Sequence, residues 1–180
     1  MTAGQGRFQA RILCAANPGP AMAPAFVLLP RTVSDVLPRR GRTTVNVSVN
    51  GHAFVAVAEP DGRLGHWLPL SAGLLESTGI APGDSAEFEV RPADAEAEPE
   101  LPADFREALA SNPQAQATWR AASTVARIDW IHWITTAKQA TTRARRIRAA
   151  CDQLAAGRKR VCCFDPSGCY SRAFSAPRAG

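Results

Sequence analysis

The chain has 180 residues, of which 46% are hydrophobic and 21% charged, and its formal net charge is +5. This composition is typical of a globular protein and excludes a disordered chain, while no apolar run approaches the ~20 residues that a membrane-spanning helix needs. Residues 1–7 lack a basic start followed by an apolar core, so we expect no secretory signal, no membrane association and a cytoplasmic location.

The first half of the chain is predicted to consist of strands. Residues 7–14 alternate between polar and apolar side chains, residues 26–29 are continuously apolar, and residues 43–49 alternate again. Asn50-Gly51 follows, and because both residues tolerate the positive φ of a type I′ turn, it predicts a hairpin with the alternating run 52–58. The residues expected on the apolar faces of the two hairpin strands are Val45, Val47 and Val49, then Ala53, Val55 and Val57.

A short pattern occurs twice in this half. Leu29-Pro30 and Leu68-Pro69 each precede a short helical segment, a glycine and a strand. The hydroxyls of Thr32 and Ser71 lie where an N-cap would satisfy the first free amides of each helix. Two copies of strand, short helix and strand predict a pseudo-twofold β-barrel that one chain closes without dimerisation. The alternative is a chance echo of a short motif.

The second half changes to a helical period after a linker, residues 92–102, that is rich in Pro, Ala and acidic side chains. Four helices are predicted, over residues 104–109, 114–121, 123–138 and 141–157. The third has a wide apolar arc that predicts burial, with Trp130 and Trp133 in the core and a polar stripe of Asp129, His132 and Thr136. The inner face of the fourth is expected to comprise Ala144, Ile147, Cys151 and Leu154.

The predicted parts of the chain are a barrel domain (1–91), a linker (92–102), an arginine-rich helical domain (103–160) and a cysteine-containing tail (161–180). Charge is divided unevenly along them. Residues 1–110 carry 9 Arg and 13 Asp or Glu, whereas residues 111–180 carry 12 Lys or Arg and 3 Asp, so the net charges are −4 and +9. This division predicts either an anionic partner for the second part or docking of one part on the other.

Five cations cluster at the start of the fourth helix. Arg143, Arg145, Arg146 and Arg148 occupy its first two turns, and Lys138 lies just before it. A helix amino terminus is already partly positive, so each exposed cation there costs ~0.3–1 kcal/mol unless an anion offsets it. Free amides and guanidinium groups together suit phosphate or carboxylate, and nucleic acid is the favoured ligand class. The alternatives are a solvated face or internal pairing with the acids Asp94, Glu96, Glu98, Glu100, Asp104, Glu107 and Asp129.

Two further groups carry the side chains of reactive or metal sites. Cys162, Cys163 and Cys169 offer three thiols, expected to be reduced, with a histidine as a fourth metal ligand, although their spacing is not that of a structural zinc site. His132 and Asp129 lie three residues apart and suit either a general base with its orienting carboxylate or a surface pair. The sequence contains no G-x-S-x-G, H-E-x-x-H, P-loop or G-x-G-x-x-G motif, so we assign no catalytic residue and expect no cofactor.

Three hypotheses about function follow. The first is a non-enzymatic binding or stress-response protein whose anion-binding surface comprises the four arginines and Lys138. The second is a small-molecule or metal-dependent enzyme that uses the cleft between the two halves, with His132, Asp129 and the tail thiols as candidates. The third gives the arginines a purely structural role, in which they hold the helical half on the acidic linker.

The sequence also resembles a known bacterial family. Trp133-Ile-Thr-Thr-Ala-Lys138, followed by Thr141-Thr-Arg143-Ala-Arg-Arg146-Ile147, is similar to the signature of the YdeI/OmpD-associated proteins. Leu29-Pro30, Gly41-Arg42, Val49-Asn-Gly51, Leu68-Pro69 and Gly79–Asp84 resemble the domain of unknown function that commonly precedes it. The resemblance implies an α+β protein with an N-terminal double-split β-barrel and a small C-terminal helical domain, and it carries a label of bacteriocin protection. The family often has Glu where this chain has Thr141.

Overall fold

The strands and the longer helices occupy separate parts of the chain in the computed structural model, which describes residues 5–18 and 22–180. Residues 1–4, part of the segment expected to lack a secretory signal, lie outside the described residues. The chain forms two compact units, Met1–Ala95 with Ser167–Gly180, and Glu96–Pro166. The end of the predicted tail therefore belongs with the barrel unit.

Seven strands lie within the described part of the barrel unit. They are β1 (Gly6–Arg11), β2 (Leu13–Cys14), β3 (Ala25–Leu28), β4 (Thr43–Val49), β5 (His52–Pro60), β6 (His66–Leu70) and β7 (Ser85–Pro92). Their order is β1-β7-β4-β5-β6-β3-β2, and all neighbours are antiparallel. Because β1 and β2 are one run interrupted at Ile12 and lie at opposite edges of this order, the sheet curls into a nearly closed barrel.

The predicted repeat of strand, short helix and strand is present. Helix α1 (Arg31–Ser34) joins β3 to β4, and α2 (Ala72–Thr78) joins β6 to β7. The Ser71 hydroxyl caps α2 by accepting a hydrogen bond from the Leu74 N–H at 3.2 Å, as predicted. The prediction for Thr32 was wrong, because α1 already begins at Arg31 and its N-cap is Pro30, which has no side-chain acceptor. The double-split arrangement stays a prediction.

The Asn50-Gly51 hairpin is confirmed, but one of its predicted faces is wrong. Asn50 and Gly51 have φ of 48° and 85°, the two positive values of a type I′ turn. The two-residue loop pairs Val49 with His52 and Val47 with Phe54, and cross-strand partners share a face of the sheet. Phe54 therefore packs against the barrel core, whereas Ala53, Val55 and Val57 face outward, and Val55 is 63% exposed.

The end of the chain extends the barrel at the edge formed by β2. Ala179 forms an antiparallel bridge with Ala15. The Ala16 N–H donates to the Arg178 carbonyl at 2.9 Å, and the Gly180 N–H donates to the Cys14 carbonyl at 3.0 Å. These backbone hydrogen bonds give the final residues a defined place, where the sequence pattern indicates none.

A buried histidine connects three segments of the barrel. His66 begins β6 and is fully buried. Its N–H donates to the Ser34 hydroxyl at 3.1 Å, and its Nε2 lies 3.2 Å from the Gly41 carbonyl, to which it donates. Burial lowers the pKa of His66 below its usual 6.5, since an imidazolium here would lose its hydration. Folding therefore favours the neutral form of His66.

We expect the melting temperature of the protein to fall as the pH decreases below about 6.5. Below that pH the unfolded chain protonates His66 more readily than the folded chain does, so acid favours unfolding, and above it the contribution is constant. A His66→Gln variant keeps a donor for the Gly41 carbonyl but does not titrate. Thermal unfolding followed by circular dichroism across weakly acidic and neutral pH should show a smaller acid-side decline in this variant. Identical profiles for the two proteins would contradict the prediction.

The helical unit contains four helices, each within three residues of its predicted bounds. They are α3 (Ala103–Ala110), α4 (Pro113–Ala121), α5 (Thr124–Thr135) and α6 (Ala140–Ala155). Asn112 caps α4 by accepting from the Ala115 N–H at 3.1 Å, and Ser123 caps α5 by accepting from the Ala126 N–H at 3.2 Å. The helices following the strands confirm the α+β fold class. Among the described residues, no helix is long and apolar enough to cross a membrane.

Burial within the helical unit differs from the sequence pattern at two places. Trp130 lies fully in the core, as predicted. His132 is only 2% exposed, although the pattern places it on a polar stripe. Ala144, predicted on the inner face of α6, is exposed, while Ile147, Cys151 and Leu154 are buried. Helix α5 is thus enclosed on more sides than its polar residues indicate.

Candidate functional site

The turn between α5 and α6 brings together the two parts of the sequence signature. Arg146, in the second turn of α6, donates through Nη1 to the Trp133 carbonyl and to the Thr136 hydroxyl, the latter at 3.0 Å. Its Cζ also lies 5.4 Å from the centroid of the Trp133 ring, a cation–π contact. The Trp133 carbonyl lies in the last turn of α5, where helix carbonyls lack intrahelical partners, and it accepts from the Thr136 hydroxyl at 3.0 Å as well as from this guanidinium.

This contact changes the interpretation of Arg146. Burial, and then the charge of Arg145, lowers the pKa of Arg146 below its usual range, but an arginine remains charged in proteins. The sequence pattern groups Arg146 with the anion-binding cluster and Trp133 with the core, and does not predict the contact between them. One indication of this contact was present in the sequence, because Trp133 and Arg146 both belong to the signature that resembles the YdeI/OmpD-associated proteins.

Arg143 makes an internal ion pair. Its Nε and Nη2 donate to the two carboxylate oxygens of Asp104, on α3, at 2.6 and 2.9 Å. This bidentate hydrogen bond lowers the pKa of the Asp104 carboxyl. Arg127 makes a similar pair with Glu98, at 2.6 and 2.8 Å. Two of the upstream acids, Asp104 and Glu98, thus pair with arginines of the helical unit. Of these two arginines, Arg143 belongs to the predicted cluster and Arg127 does not.

Arg145 and Arg148 lie on a different side of α6. Helical side chains advance by about 100° per residue, so Arg145 and Arg148 are about 60° apart and nearly opposite Arg143 and Arg146. Both are exposed, as is Lys138 in the preceding turn. No described residue forms a hydrogen bond or ion pair with these three side chains. We call Arg145 and Arg148, together with Lys138 of the preceding turn, the basic face.

Charge is nearly even between the two structural units. The helical unit, 96–166, has 11 Lys or Arg and 8 Asp or Glu, a net charge of +3. The barrel unit has 10 and 8, a net charge of +2. The −4 and +9 division of the sequence arises because acidic residues 96–107 belong to the helical unit and basic tail residues to the barrel unit. The net charges of the two units therefore differ little, so a surface that binds anions has to be identified from the local arrangement of cations.

The other candidate residues do not gather into one group. His132 is buried, with its ring 5.3 Å from that of Phe164 in an edge-to-face arrangement, and Asp129 is half-buried. Cys162 and Cys163 are exposed with their Sγ atoms 3.1 Å apart, whereas Cys169 is half-buried in the barrel unit. Within residues 5–18 and 22–180, no group of three or more His, Cys, Asp or Glu is arranged to hold a metal ion.

Comparison with known families identifies both parts of the chain. Residues 98–157 match the family described as Bacteriocin-protection, YdeI or OmpD-Associated (OmdA). Residues 8–90 match a Domain of unknown function (DUF1905). No curated protein matches the sequence. The barrel followed by helices fits this order of domains, and the resemblance inferred from the sequence is confirmed. The chain therefore carries a DUF1905 domain followed by a helical domain of the YdeI/OmpD-associated (OmdA) family.

Proposed function

We propose that this protein is a non-enzymatic binding protein whose helical unit binds anions through the basic face. Nucleic acid is the favoured ligand. The observation that supports it is the pair Arg145 and Arg148, exposed three residues apart on α6 with no partner among the described residues. Arg143 and Arg146, which the sequence groups with them, already have internal partners. The proposed surface is therefore smaller than the cluster of five cations.

The electrostatics of the basic face favour an anion. Like charges one helical turn apart destabilise a helix by about 0.2–0.5 kcal/mol, and cations near its amino terminus add to this cost. Gln139 at the N-cap of α6 makes no side-chain hydrogen bond to the first amides. A phosphate near Arg145 and Arg148 would relieve the repulsion and accept the planar fork of hydrogen bonds that guanidinium groups offer.

We expect the purified protein to bind labelled DNA or RNA oligonucleotides at low salt, with affinity falling steeply as the salt concentration rises. The slope of log affinity against log salt concentration is negative. In an Arg145→Ala/Arg148→Ala variant its magnitude should be smaller by about 2, because each phosphate contact contributes roughly one unit of slope. Fluorescence anisotropy over a salt series measures this slope.

Matched variants separate the basic face from net charge. Arg63→Ala/Arg120→Ala removes the same charge from two other exposed arginines and should leave the slope unchanged. Arg145→Lys/Arg148→Lys keeps the charge and should retain most of the slope, since Lys binds phosphate as a point charge. Equal slopes for the two alanine variants, or no binding at low salt, would refute the proposal.

A further inference from the structure

Two adjacent cysteines after α6 bring their sulfur atoms together. Cys162 and Cys163 follow the basic residues 158–160, and their Sγ atoms are 3.1 Å apart. Both residues are exposed. Cys163 has φ of 59°, in the left-handed region that a residue with a side chain rarely adopts. Adjacent side chains of an extended chain point to opposite faces, so this turn of the backbone is what places both thiols on one side.

The short distance also couples the two thiols. The neighbouring Cys162 thiol raises the pKa of Cys163, first by a hydrogen bond between the sulfurs and then by charge repulsion. Two exposed sulfurs 3.1 Å apart are two nucleophiles that can react with the same electrophile.

The number of available ligands limits what such a pair can hold. Thiolates select soft metal centres, but structural zinc takes four protein ligands. No described group of three or more His, Cys, Asp or Glu is arranged around a common point. A centre that needs only two protein sulfurs and brings its own third substituent fits this arrangement.

We propose that Cys162 and Cys163 form a dithiol binding site for a trivalent arsenical, which bonds to both sulfur atoms at once. With an organic arsenoxide, the two S–H bonds break and two As–S bonds form. The oxide oxygen leaves as water with the two thiol protons, and arsenic remains trivalent throughout. The site is independent of the basic face, because neither sulfur belongs to it.

The test uses the full-length protein, reduced and then treated with one equivalent of phenylarsine oxide. Intact mass spectrometry should show one arsenical per chain that survives an excess of a monothiol and is removed by a dithiol. In Cys162→Ser and in Cys163→Ser, binding should weaken on the order of 100-fold, because the second As–S bond gains from a high effective concentration. Both residues are exposed, so these variants should fold normally.

Cys169→Ser is the matched control, since it removes a thiol from the same stretch of sequence but leaves the pair intact. It should bind the arsenical as the unchanged protein does. Three results would overturn the proposal: an unchanged protein that takes no arsenical, full binding in either Cys162→Ser or Cys163→Ser, or loss of binding in Cys169→Ser.

Discussion

Replacing Trp130 with alanine is expected to lower the free energy of unfolding of the helical unit by about 3–5 kcal/mol, the range for removing a large buried aromatic side chain. Trp130 is fully buried, its ring lies 5.8 Å from that of Trp133, and its Nε1 donates to the Lys159 carbonyl at 3.1 Å. The substitution removes this contact between α5 and the segment after α6 and leaves a cavity in the core. Urea unfolding followed by far-ultraviolet circular dichroism measures the loss.

A Trp130→Phe variant separates packing from the hydrogen bond. Phenylalanine retains most of the apolar contact but cannot donate to Lys159, whose carbonyl belongs to an exposed residue. We expect a smaller loss, about 0.5–1.5 kcal/mol for the hydrogen bond plus the effect of the smaller ring. A loss below about 1 kcal/mol in Trp130→Ala would contradict the prediction, since it would mean that the core collapses around the site and leaves no cavity.

The hairpin shows what the sequence could predict of the barrel. Asn50-Gly51 identifies the turn because its positive φ values are a local property. The outward face of β5 could also have been derived, since a two-residue loop pairs Val49 with His52 and Val47 with Phe54, and so places every second residue from Phe54 inward. Valine at positions 55 and 57 obscured this, because apolar residues were assumed to face the core. Val55 shows that one apolar side chain on an outer face is tolerated.

The arginine cluster shows what could be predicted of the site. Helical periodicity alone separates Arg145 and Arg148 from Arg143 and Arg146, so the division into two pairs was available from the sequence. The residues that accept hydrogen bonds from Arg143 and Arg146 could not be predicted in the same way. Asp104 lies 39 residues before Arg143, and six acids in that region have similar surroundings in the sequence. One of the two acceptors of Arg146 is a backbone carbonyl, which has no signature in residue type.

We expect Arg146→Ala to lower the free energy of unfolding by about 1–3 kcal/mol, because it removes a charged donor from the Trp133 carbonyl and the Thr136 hydroxyl. The cation–π contact with Trp133 is lost as well. Arg146→Lys keeps the charge but loses the planar fork, so we expect an intermediate loss. Chemical unfolding measures both values, and anisotropy with labelled oligonucleotides is measured on the same proteins.

Comparing Arg146→Ala with the basic-face variants separates two roles within the cluster of cations. Arg146 is expected to stabilise the fold, whereas Arg145 and Arg148 are expected to bind the ligand. Arg146→Ala should lower stability and leave the salt slope of nucleic-acid binding unchanged at salt concentrations where the protein is folded. Arg145→Ala/Arg148→Ala should do the reverse, because removing exposed like charges costs no internal hydrogen bond. If Arg146→Ala instead reduced the slope by about 1 without loss of stability, the guanidinium would contact the ligand and its hydrogen bonds to α5 would contribute little.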